Sequence, residues 1–122
     1  MHVRPATRAD LPAVRGVVDA ALLQVADDRL TGALERDAVL VAVSDAGTVL
    51  GALVLDEREI VAVAVRRRRR DQGIGTALVT AAARERSVLV AEFDGRVAPF
   101  WRSLGFEVES LDGGRFRGRY ES

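Results

Sequence analysis

The sequence predicts an α/β fold, a mixed sheet carrying helices on its faces. Three observations predict it. Short apolar, β-branched runs recur at 39–44, 48–55, 59–65 and 88–93. Apolar residues at helical spacing fill the stretch between residue 11 and residue 36. A glycine-spaced turn, Gly73-Ile74-Gly75, joins a strand-like run to a helix-patterned segment. Strands interleaved with helices make a sheet covered by helices the economical architecture.

Each element has its own signal. Residues 2–5 read as a first strand. Thr7 and Asp10 have capping-box spacing, with Asp in place of Glu, just before Leu11. Leu11, Val14, Val18, Leu22 and Val25 then repeat at helical spacing, and Asp28 to Arg36 forms a second, shorter helix. Val39 to Ser44 and Thr48 to Leu55 flank Asp45-Ala46-Gly47, the pattern of a hairpin. Glu59 to Val65 is nearly all apolar, as expected of a central buried strand. The next helix runs from Thr76 to Arg86, with Ile74, Ala77, Leu78, Ala81 and Ala82 as its apolar stripe. Val88 to Phe93 is a strand. Arg96 to Leu104 is a short helix, with Pro99 tolerable near its first turn and Gly105 suited to its C-terminal cap. Phe106 to Ser110 and Arg115 to Tyr120 are strands joined by Leu111-Asp112-Gly113-Gly114.

Composition narrows the chemistry. At 122 residues the chain reads as one domain, residues 1–122, able to bury roughly 65% of its unfolded surface. Its hydrophobic (48%) and charged (30%) fractions are those of an ordinary globular protein. No apolar run reaches the ~20 residues of a membrane span, and the N-terminus has no signal-peptide pattern, so a cytoplasmic location is expected. Cysteine is absent, so thiolate chemistry and cysteine metal sites are excluded. The single His, at position 2, argues against a Ser-His hydrolase and a histidine metal centre, and no metal site is expected. All 18 basic residues are Arg, which removes a lysine Schiff base and a Walker A loop. The 18 acids balance them, and with few aromatics this disfavours nucleic acid as a partner.

Arg70-Asp71-Gln72-Gly73-Ile74-Gly75-Thr76 is the most informative stretch. Strand, glycine-spaced turn and helix aim bare N–H groups and a helix N-terminus at an anion. Glycines at 73 and 75 admit a phosphate without a Cβ in the way. The bland alternative is a helix start that needs small residues. The turn is not a dinucleotide fingerprint, because the third glycine would fall at Leu78.

Arg70-x-x-Gly73-x-Gly75, followed by Phe100-Trp101-Arg102-Ser103-Leu104-Gly105-Phe106 and preceded by Val3-Arg4-Pro5-Ala6-Thr7-x-x-Asp10, resembles the GNAT superfamily of acetyl-CoA-dependent N-acetyltransferases. The resemblance spans nearly the whole chain in the family's element order. It implies a twisted, mostly antiparallel sheet of about seven strands with helices on both faces. It further implies transfer of an acetyl group from acetyl-CoA to a primary amine of a small molecule, peptide or protein.

By the same resemblance, Arg70, Asp71, Gln72, Gly73, Ile74, Gly75 and Thr76 surround the CoA pyrophosphate. Val63, Ala64 and Val65 lie beside the pantetheine arm, where an N–H polarises the thioester carbonyl. Asp71 departs from the family's usual Gly and has to point to solvent. Asp94 stands where Asn is common. The run Arg66 to Arg70 reads as a solvated loop, a nucleic-acid patch or a source of cations for the CoA phosphates. Direct attack needs a base. Glu92 is preferred, with Asp94 and Glu59 as runners-up, each also readable as a surface carboxylate. Trp101 replaces the family's usual Tyr and is no useful acid. Either Trp101 packs on the CoA arm, leaving the thiolate to solvent or to Tyr120, or the chain is a non-catalytic acyl-CoA-binding module. The short chain suggests, by analogy, a homodimer that completes the acceptor cleft.

Overall fold

The computed structural model describes residues 1–21 and 23–122. Its strands are β1 (His2–Pro5), β2 (Val39–Val43), β3 (Val49–Asp56), β4 (Glu59–Val65), β5 (Val88–Asp94), β6 (Glu107–Ser110) and β7 (Arg115–Glu121). Its helices are α1 (Leu11–Ala20), α2 (Asp27–Glu35), α3 (Ile74–Glu85) and α4 (Ala98–Ser103). The strands form one seven-stranded sheet in the order β1-β2-β3-β4-β5-β7-β6. Every neighbouring pair is antiparallel except β4 and β5. This is the mixed sheet expected from the element order, and the mostly antiparallel, seven-stranded form that the family resemblance implied.

β2 is buried at every residue, and β3 from Val49 to Leu55, so both faces of the sheet are covered there. α3 supplies one cover. It lies so close to β3 that a Cβ on Gly51 would come 3.0 Å from Ile74 Cγ2 and 3.3 Å from Leu78 Cδ1. α1 covers the other face with Val14, Val17 and Val18, all fully buried. α4 joins α3 on its face, since Phe100 approaches within 3.4 Å of where a Gly75 Cβ would stand. Val79, absent from the expected stripe, is buried with Ile74, Leu78 and Ala82 on α3.

Three expectations change. α1 ends at Ala20 rather than continuing to Val25, and Leu22 lies outside the described residues. The cause is the next helix: Asp27 and Asp28 favour its positive N-terminal end, so α2 starts there. Arg15 fastens the link between the two helices, donating to the Val25 carbonyl at 2.8 Å and to Asp27 at 2.7 Å. β4 is not evenly buried. Ile60, Ala62 and Ala64 are covered, whereas Val61, Val63 and Val65 are half-exposed. The sheet is open beside them. α3 begins at Ile74 rather than Thr76, because Gly73 adopts φ +80° as its N-cap.

The cap at Thr7 forms with an addition. The Thr7 N–H donates to Asp10 Oδ2 at 2.8 Å, and Arg4 grips the same carboxylate through both terminal nitrogens, at 2.8 and 3.1 Å. Gly105 closes α4 as expected, at φ +91°. Its N–H bonds the Arg102 carbonyl, and the Phe106 N–H bonds that of Trp101.

Candidate functional site

β4 and β5 are paired at Glu59–Val90 and Ile60–Ala91 and then part. A groove of about 1060 Å³ occupies the divergence. Its walls are the second half of β4, the end of β5, the start of α3, the α4 aromatics and the link between α1 and α2. That volume is at the upper end for small-molecule sites and suits an elongated ligand.

β4 presents free backbone to this groove. The Arg66 N–H donates to the Leu50 carbonyl at 2.8 Å, and Val65 and Val63 stand opposite Gly51 and Leu53. Hydrogen-bonding direction alternates along an antiparallel strand. Ala64 therefore turns its N–H and C=O toward β3, while those of Val63 and Val65 point into the gap, where β5 has withdrawn. Of the three expected pantetheine neighbours, Val63 and Val65 have the free groups and Ala64 does not. The Val65 side chain also borders Gly75, 3.9 Å from its missing Cβ.

The glycine turn continues the same surface. Among the described residues, the N–H groups of Asp71, Gln72 and Gly73 donate to no backbone carbonyl. Those of Ile74, Gly75 and Thr76 open α3, where intrahelical partners are lacking. The result is a run of unsatisfied donors at a positive helix end, a ready cradle for a phosphate group. Gly73 has nothing within 4 Å of where its Cβ would stand, so the space above it is open. Gly75 lies against Phe100, where an added Cβ would make an ordinary contact at 3.4 Å. Asp71 is exposed, as its charge requires, and holds φ +62°.

The arginine run divides by position. Arg66 is structural, its Nε donating to the Val49 carbonyl at 2.6 Å. Arg69 and Arg70 line the groove. Arg67 and Arg68, with Arg66 and Arg69, border a separate hollow of about 700 Å³ between α1 and the β2–β3 turn.

The candidate bases are not equivalent. Asp94 caps the turn after β5, accepting from the Arg96 N–H at 2.8 Å and from Arg96 Nε at 3.1 Å. Those bonds lower its pKa, which leaves it a poor proton acceptor. Glu59 starts β4 at the closed end of the splay, paired with Arg29 at 3.0 Å, and is not among the groove-lining residues. Glu92 lines the groove, exposed, on the sheet face opposite α4. One oxygen accepts from Arg117 at 3.0 Å.

Trp101 is only 6% exposed. Its ring stacks on Phe93 at 5.2 Å, and Phe100 and Phe106 meet it edge-on at 5.2 and 5.0 Å. Trp101 forms part of the groove floor. Tyr120 does not join it. It stands opposite Leu89 in the β5–β7 pair, beside Phe106 at 5.5 Å, and is not among the groove-lining residues. Sequence reasoning missed Arg115 and Arg117, which face the groove side of β7. The alternating arginines at 115, 117 and 119 were the available signal.

The comparisons agree with this geometry. The model of the acetyltransferase (GNAT) domain matches residues 35–108. Among curated protein sequences none matches the chain. Several solved structures share the fold. The ribosomal-protein-alanine N-acetyltransferase of Brucella melitensis is 26% identical, with a TM-score of 0.78 and complete coverage of both chains. A Mycobacterium tuberculosis protein in complex with CoA is 22% identical, with a TM-score of 0.81, covering 100% of this chain and 99% of that one. N-acetylglutamate synthase from Neisseria gonorrhoeae, complexed with CoA and N-acetyl-glutamate, is 17% identical with a TM-score of 0.81. The match covers 98% of this chain but 34% of that enzyme, so this chain spans about a third of its length. A splayed β4–β5 pair, a donor-rich glycine turn and a family model covering most of the chain lead to one conclusion: the protein belongs to the GNAT acetyltransferase family.

Proposed function

We propose that the protein, as one domain over its 122 residues, transfers an acetyl group from acetyl-CoA to a primary amine by direct attack. One observation carries this reading. The free backbone of Val63 and Val65 and the unsatisfied N–H groups of the Asp71–Thr76 turn border one groove. The first set suits an amide-bearing arm and the second a pyrophosphate. The CoA-bound relatives support the ligand. Acetyl-CoA supplies an activated acyl group as its thioester. The Val63 or Val65 N–H donates to the developing oxyanion. Glu92 takes the amine proton, directly or through water. Trp101 gives the departing sulfur an apolar floor and no proton. A thiol near the ordinary cysteine pKa of about 8.5 leaves as thiolate and is protonated by water.

Calorimetry with acetyl-CoA tests the reading. Binding is expected in the wild type, and Gly73→Asp is expected to abolish it by placing a side chain and a charge in the open space above the turn. Absence of binding at millimolar acetyl-CoA would sink the proposal. The burial of Trp101 in place of an acid favours a second reading, an acyl-CoA-binding module without turnover. Binding with no acetylation across an amine panel would establish that alternative. A cytoplasmic location belongs to the leading reading, and so, by family analogy, does a homodimer.

A further inference from the structure

The groove has a charged side wall of which the transferase reading uses Glu92 alone. Phe116 packs over Gly95, 2.6 Å from where a Cβ would stand, which fixes the start of β7 against the end of β5. Side chains alternate along a strand. Arg115 and Arg117 therefore project to the opposite face, the one Glu92 and Asp94 share by register. Most charges there are matched. Arg117 lies 3.0 Å from Glu92 and 3.8 Å from Glu109, and Arg96 holds Asp94 at 3.1 Å. Arg115 stands directly across from Asp94, whose carboxylate feels its charge, but among the described residues it has no carboxylate oxygen within 4 Å, and it lines the groove. It sits diagonally across the strand pair from Glu92, about 7–8 Å away in the backbone and closer at the side chains.

We infer that Arg115 binds a carboxylate of the acceptor, which is therefore a free amino acid or a similar zwitterion whose amine meets Glu92. This rests on the transferase reading above. A guanidinium with both terminal nitrogens free grips a carboxylate in a fork that an amide cannot match. An ammonium beside Glu92 and a carboxylate beside Arg115 match the two signs on this wall. A peptide chain would place an amide where Arg115 waits.

The experiment compares each of the twenty L-amino acids with its carboxamide as acceptors. It also measures by calorimetry the binding of both to the CoA-loaded protein. The wild type is expected to prefer its best amino acid over that amide by about 50-fold in kcat/KM, the scale of a charged hydrogen-bonded pair. Arg115→Ala should bring that ratio close to one, and Arg115→Lys should restore only part of it. A wild type indifferent to the carboxylate, or a ratio unmoved by Arg115→Ala, overturns the inference and leaves the transferase reading standing. If no amine is acetylated, the transferase reading falls. The calorimetric preference for acid over amide, and its loss in Arg115→Ala, then decides the Arg115 site alone.

Discussion

At the scale of single residues, Asp71 is the position where the chain works against the proposed phosphate site. A non-glycine residue at φ +62° carries strain, and it brings a negative charge to a turn whose N–H groups suit an anion. Asp71→Gly removes both penalties. Stability should rise by about 0.5–1 kcal/mol, with glycine's extra unfolded freedom limiting the gain. Acetyl-CoA should bind about fivefold more tightly at low salt, and the gain should shrink as salt rises. Thermal melts and calorimetry at two ionic strengths check this. A lower melting temperature with unchanged affinity would show that Asp71 does useful work where it stands. Gly73 was legible because its left-handed turn, at φ +80°, has a residue-type signature. The placement of Tyr120 was not legible, because strand register decides which layer a side chain joins.

At the scale of elements, the entry to α1 is held by charge as well as by a cap. Arg4 on β1 grips Asp10 through two hydrogen bonds, and the Thr7 N–H adds a third. The Arg4 bonds are the main cause that holds the Asp10 carboxyl at about 2 rather than 3.8. A depressed folded-state value stabilises the fold above the ordinary carboxylate pKa and stops doing so as pH falls through the folded one. Asp10→Asn should therefore cost about 1–2 kcal/mol at pH 7, and the difference from wild type should narrow between pH 4 and pH 2. Urea melts across that range measure it, and a constant difference would exclude the ion pair as its source. The capping box itself could be read from Thr7 and Asp10. Arg4 could not, since its contact crosses from strand to helix. Nor could the end of α1, because the helical spacing of Leu22 and Val25 continues past the point where Asp27 and Asp28 start a new helix.

At the scale of the whole molecule, the proposed function rests on a fault in the sheet. Apolar alternation and hairpin spacing announce strands, and motif order announces their arrangement. No local signal says that β4 and β5 separate after Ile60, because parallel pairing is a long-range choice. The apolar run of β4 looked like a fully buried strand for that reason, and its half-exposed valines are the result. This geometry has a consequence that amide exchange can read. Ala64 is engaged with β3 and should be protected with or without ligand. Val63 and Val65 point their N–H groups into the groove and should exchange rapidly in the free protein. When acetyl-CoA fills the groove, both should slow by about tenfold or more, as a strand-like partner takes up hydrogen bonds that β5 leaves unmade. Gly73→Asp, unable to hold the pyrophosphate, should leave them fast at the same ligand concentration. Equal protection of residues 63, 64 and 65 in the free protein would mean that the strands close over the groove in solution. Protection confined to the Asp71–Thr76 turn on adding ligand would mean that the pantetheine arm lies elsewhere.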